Sequence, residues 1–164
     1  MDSAPQTQRV LIMSRAEYLD AADTLYSMAR HELCIFDPDL EMLGLNAPAR
    51  IQRLESFLQA GRENELRIAL HDPSYAIRAC PRLLEVLRRY SPRVHVYGTE
   101  GIARRAQDRF ILADASHFVR RAVADQGRGV FALHEATEGR LLLDRFQEIW
   151  VSSTESVSAT SLGL

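Results

Sequence analysis

Lysine is absent from this sequence, and all 20 basic residues are arginine. That excludes a lysine Schiff base, a lysine general base and a phosphate-holding ammonium. Cysteine is scarce as well. Cys34 and Cys80 are the only two, each in or beside an element expected to be buried, so reduced core thiols are expected rather than a bridge. No apolar run approaches the ~20 residues that span a bilayer. The opening MDSAPQTQ has neither the basic end nor the apolar stretch of a signal peptide, and the chain reads as cytoplasmic. Cys-x-x-Cys, His-Glu-x-x-His, an acidic calcium-type loop, a glycine-rich nucleotide loop and a Gly-x-Ser-x-Gly elbow are all missing. Neither a metal nor a cofactor is expected.

What is present suits one domain. The 164 residues are 46% hydrophobic, enough for one sizeable core. Ser14 and Glu17 form a capping box ahead of Leu19, Ala22, Leu25, Tyr26 and Ala29 at helical spacing. ELCIFD (residues 32–37) and ELRIALHD (65–72) read as buried strands. Pro48 and Pro81 each suit the first turn of a helix. The inner face of the helix opened by Pro81 is expected at Leu84, Val86, Leu87 and Tyr90. RVHVYG, RFILA, HFVRRAV and GVFAL follow as strands. A closing helix from about residue 137 to 151 buries Leu142, Leu143, Phe146, Ile149 and Trp150. Helix and strand alternate, which predicts an α/β/α layer domain over residues 9–152, with a mixed, largely parallel sheet. Residues 1–8 and the Ser/Thr-rich 153–164 are expected to be disordered.

The net charge is only -2, but it is unevenly spread. Between Tyr75 and Arg128 lie eleven arginines against five acids, a basic centre able to face an anionic ligand. Within it stands QDRFILAD, residues 107–114. Arg109 is a permanent, planar charge able to hold two oxygens at once, and Asp114 closes the apolar strand that it opens.

This stretch resembles the signature of the phospholipase D superfamily: His, one residue, Lys, four residues, Asp. Aligned on it, the signature falls on Gln107, Arg109 and Asp114. Arginine replaces lysine, as in the HDRF variant of outlying members, and glutamine replaces histidine. The chain is most similar to the small bacterial phospholipase D-like domains with one motif, which are sometimes appended to acetyltransferases. The resemblance implies a half-barrel-like α/β/α unit. In that superfamily one histidine attacks phosphorus and a second, from another motif, protonates the leaving group, so a one-motif chain acts as a dimer. A glutamine amide is neither nucleophilic nor titratable near neutrality. Downstream, where the family places Gly-Ser and then Asn, this chain has Arg121, Ala122 and Asp125.

The expectation is therefore a catalytically inactive phospholipase D-like domain, a binding or partner module for a phosphate-bearing ligand held by Gln107, Arg109 and Asp114. A homodimer, or an acetyltransferase-type partner domain, is the partner that the resemblance implies. One alternative is a metal-independent homodimeric phosphodiesterase with a displaced histidine. His71 and His134, both at strand ends, are the candidates. The other alternative is a nucleic-acid-binding accessory domain. It is disfavoured because acids interrupt the arginines and Tyr75, Tyr90, Tyr97, Phe110 and Phe118 do not interleave with them.

Overall fold

Ser14 begins the first helix as its spacing predicts, its Oγ accepting the Glu17 N–H at 3.1 Å. The computed structural model describes residues 3–158. In chain order the elements are β1 (Gln8–Ile12), α1 (Arg15–Met28), β2 (Glu32–Asp37), α2 (Pro48–Gln59), β3 (Glu65–Leu70), α3 (Ser74–Ala79) and α4 (Pro81–Arg89). They continue with β4 (Val94–Thr99), a 3-10 turn (Gly101–Arg105), β5 (Arg109–Ala113), β6 (His117–Arg121), β7 (Gly129–Leu133), α5 (Ala136–Val151) and β8 (Ser153–Val157). Pro48 and Pro81 each sit in the first turn of their helix.

The strands form one sheet in the order β1-β7-β6-β5-β2-β3-β4-β8. It is mixed, as helix-strand alternation predicts, but its parallel part is smaller than expected. Only β2–β3 and β3–β4, joined through helices, run parallel. The remaining pairings are antiparallel. Turns rather than crossover helices join β5 to β6 and β6 to β7, so those neighbours reverse direction.

Side chains alternate across the sheet and divide the core in two. Leu33, Ile35, Ile68, Ile111 and Val119 face α1, α2 and α4. Cys34, Phe36, Phe110, Leu112 and Phe118 face α5, which supplies Leu142, Leu143, Phe146 and Ile149. Leu83 takes the buried place in α4 expected of Leu84, which is half-buried beside it. Both cysteines are free and buried.

Two elements depart from composition. Ser153–Val157, assigned above to a disordered tail, pairs with β4 as an edge strand. Gln8 likewise belongs to β1, at the opposite edge. An open sheet edge supplies backbone partners to any extended segment that reaches it, whatever its composition. The rest of the expected tail, from residue 159, lies outside the described residues.

Candidate functional site

Asp108, just before β5, and Arg109, its first residue, are neighbours in sequence but point to opposite faces of the sheet. Asp108 faces α5. Its carboxylate takes two hydrogen bonds from Arg145, at 2.9 and 2.6 Å, and lies 3.6 Å from Arg120. It is a clamp between strand and closing helix. Arg109 turns the other way, beneath α1.

There it meets Asp37, the last residue of β2, with Nε 3.3 Å from Oδ1. Asp37 is fully buried, and Arg109 is 5% exposed. The other Asp37 oxygen accepts the N–H groups of Leu40 and Asp39, at 2.8 and 3.2 Å. Arg121 pairs with Arg109 across β5 and β6 and is equally buried. Its guanidinium lies 5.0 Å from the Tyr18 ring centroid. The Met42 thioether sits over both arginines, contacted by Nη1 of each. Burial raises the Asp37 pKa against the pull of Arg109, and burial, reinforced by Arg109, lowers that of Arg121. Two cations thus share one carboxylate in a nearly closed space.

Gln107 is exposed and lies at the mouth of the same end of the sheet, where β2, β3 and β4 finish and β5 begins. It lines a cleft of about 330 Å3 with Pro38, His71, Asp108 and Asp125. His71 is the sole imidazole there. Its Nε2 is 2.8 Å from the Ala106 carbonyl, which only accepts, so Nε2 carries the proton. Nδ1 then accepts from the Thr99 hydroxyl at 2.6 Å when the ring is neutral.

Asp114 lies at the other end of β5, about 16 Å along the strand from Arg109 at ordinary rise. It does not join Arg109 and Gln107. Its carboxylate accepts the N–H groups of Arg30, His31 and Glu32, at 2.9, 2.8 and 3.1 Å, holding the entry to β2. Asp114 also adopts a left-handed conformation, with φ 54°. His134 belongs to this end too. Its N–H donates to His117 Nδ1 at 2.9 Å, and the two rings meet edge to face.

Sequence reasoning thus named Gln107 and His71, which share a cleft, and Arg109, which lies just behind it. It missed Asp37, Arg121, Tyr18 and Met42. An acid closing an otherwise apolar strand, followed by proline, was the available signal for Asp37. The basic centre is also less free than its count suggests. Arg88 and Arg89 pair with Glu85 and Glu55, Arg93 donates to three backbone carbonyls, and Arg120 lies beside Asp108. Among the described residues no cluster of three or more His, Cys, Asp or Glu side chains is placed to hold a metal. No helix among them is long and apolar enough to cross a membrane.

The sequence profile of a domain of unknown function, DUF7931, matches residues 14–162. No curated protein sequence matches the chain. Among solved structures, Nuc from Salmonella typhimurium, a phospholipase D family member, is 12% identical with a TM-score of 0.62, covering 93% of this chain and 100% of its own. NucT from Helicobacter pylori is 10% identical with a TM-score of 0.62, covering 92% and 99%. The archaeal chromatin protein TrmBL2, which binds DNA, is 10% identical with a TM-score of 0.67. That match covers 90% of this chain and 55% of TrmBL2, so the chain spans about half of that protein's length. At such identities the likeness is one of fold.

Proposed function

The chain belongs to the DUF7931 domain family and has the phospholipase D-like fold, and on that premise we propose a binding module for a phosphate-bearing ligand that does not hydrolyse phosphodiesters. One observation carries the reading. Gln107 stands where the resemblance puts the nucleophilic histidine, and the only histidine in its cleft has both ring nitrogens engaged. With Nε2 protonated toward Ala106, the one lone pair of the neutral His71 ring is on Nδ1, where the Thr99 hydroxyl engages it, so it is not free to attack phosphorus. The other four histidines lie elsewhere: His31, His117 and His134 at the far end, His95 within β4 beside Tyr97 and Trp150. No second imidazole supports protonation of a leaving group.

The Asp125 carboxylate in the cleft opposes a phosphodiester as well. Arg109 and Arg121 supply positive charge behind it, which supports binding without turnover. The DNA-binding neighbour TrmBL2 suggests nucleic acid as another ligand. Most central arginines are already paired internally, so the phosphate-ligand reading is the stronger.

The test is incubation of the whole chain with bis-p-nitrophenyl phosphate in EDTA. No p-nitrophenolate release above buffer is expected. Release that disappears in His71→Ala would replace this reading with a phosphodiesterase that uses a displaced histidine.

A further inference from the structure

Arg109 and Arg121 form a buried cross-strand pair whose donors are poorly satisfied. Arg121 Nε and the Tyr18 hydroxyl have no hydrogen-bond partner although both are shut from solvent, and Arg109 Nε and Asp37 Oδ1, 3.3 Å apart as an ion pair, make no well-aligned hydrogen bond. Nη1 of each arginine faces the Met42 sulfur, at 3.2 Å for Arg121, whose Nη1 also makes a long hydrogen bond to the Ala124 carbonyl at 3.5 Å. A thioether is a weak, neutral acceptor, and two guanidinium groups are ordinarily matched to oxyanions. Asp37 neutralises one of the two charges, and its other oxygen is held by the Leu40 and Asp39 amides. One positive charge remains uncompensated within the cluster. Buried polar groups left without partners are costly, so this arrangement calls for an acceptor in place of sulfur.

We propose that the Arg109–Arg121 pair is the seat of a terminal tetrahedral oxyanion, a phosphomonoester or inorganic phosphate, and that the Met42 side chain is its stopper. The proposal rests on the phosphate-ligand reading above and narrows it. Burial favours a terminal group. Arg109 and Arg121 are each 5% exposed, which leaves a ligand little way out for its substituents. A diester carries two ester substituents, whereas a terminal phosphate carries one. Methionine is unbranched and flexible, so it can leave without moving the loop backbone, which Leu40, Leu43 and Leu45 anchor in the core.

The experiment measures melting temperature with inorganic phosphate, phenyl phosphate and diphenyl phosphate, against chloride at matched ionic strength. Wild type, Met42→Ala, Arg121→Gln and Arg88→Ala are compared. Phosphate and phenyl phosphate should raise the melting temperature in wild type, by about 4 °C at ten times the dissociation constant. Removing the stopper in Met42→Ala should enlarge the shift at equal concentration. Arg88→Ala, at an exposed ion pair with Glu85, should keep the shift, and Arg121→Gln should lose it. Should Arg121→Gln fail to fold, a shift in Met42→Ala that is equal to or smaller than the wild-type shift overturns the proposal on its own. A shift that survives in Arg121→Gln, or that diphenyl phosphate reproduces, overturns the terminal-oxyanion seat and leaves the broader phosphate-ligand reading standing. No phosphate-specific shift in either wild type or Met42→Ala removes both.

Discussion

Arg109 Nε lies 3.3 Å from Asp37 Oδ1, and both side chains are almost wholly buried. The contact joins the last residue of β2 to the first of its antiparallel neighbour β5. Arg109 is almost shut from bulk solvent, and the Met42 thioether contacts its Nη1. The loop after β2 is tied to the same carboxylate through the Leu40 amide, so the charge pair also fixes the shape of the wall above it.

The Asp108–Arg145 clamp should bear on stability. Arg145 is about two-fifths exposed while Asp108 is buried, so removing the arginine leaves a carboxylate with only the more distant Arg120. Arg145→Ala should cost on the order of 2 kcal/mol, less than a fully buried pair. Urea unfolding with an unchanged m-value checks this. A loss below about 0.5 kcal/mol would place the pair among ordinary surface contacts.

Asp114 should behave as a structural cap rather than a ligand group. Asp114→Ala strips acceptors from three amides and puts alanine in a left-handed conformation, at a cost of about 2–3 kcal/mol. Asp114→Asn keeps one acceptor oxygen and tolerates the backbone, so about 1 kcal/mol is expected. Phosphate-induced stabilisation should be the same in Asp114→Asn as in wild type. A selective loss of that stabilisation would return Asp114 to the binding site.

His117 should make stability fall on acidification. Its Nδ1 accepts the His134 N–H, which requires an unprotonated nitrogen, and burial, aided by His134, lowers its pKa. The unfolded chain therefore takes up the proton first. The contribution is complete above the ordinary histidine pKa of about 6.5 and is lost as pH falls toward the lower folded value. Unfolding free energies of wild type and His117→Phe, followed from pH 7.5 to 5, should converge on the acid side. Parallel curves would show that His117 is not the titrating group.

Nucleic acid should bind weakly or not at all. Filter binding with a short duplex should give no submicromolar affinity at physiological salt. Tight binding with a steep salt slope would mean that arginines such as Arg78, Arg104 and Arg105 act together as a phosphate-tracking surface.

The legible part of the fold was local. Periodicity and caps marked α1, α2, α4 and α5, and apolar runs marked β2 to β7, because those signals act within a few residues. α3 was not read, since six residues between two prolines carry too little periodicity to separate helix from turn. β1 and β8 escaped for a different reason. Their strand state depends on partners far along the chain, β7 and β4.

The candidate site divides in the same way. By itself the sequence determined that no lysine is available and that an arginine, Arg109, opens a buried strand. Only the tertiary structure decided what each charge meets. Spacing along a strand fixes which face a side chain takes but not its partner on the next strand. So Arg109 and Asp114, which one motif reads together, lie at opposite ends of β5. Arg109, Asp37, Arg121 and Met42, spread over 85 residues of sequence, converge because β2, β5 and β6 are neighbours in the sheet.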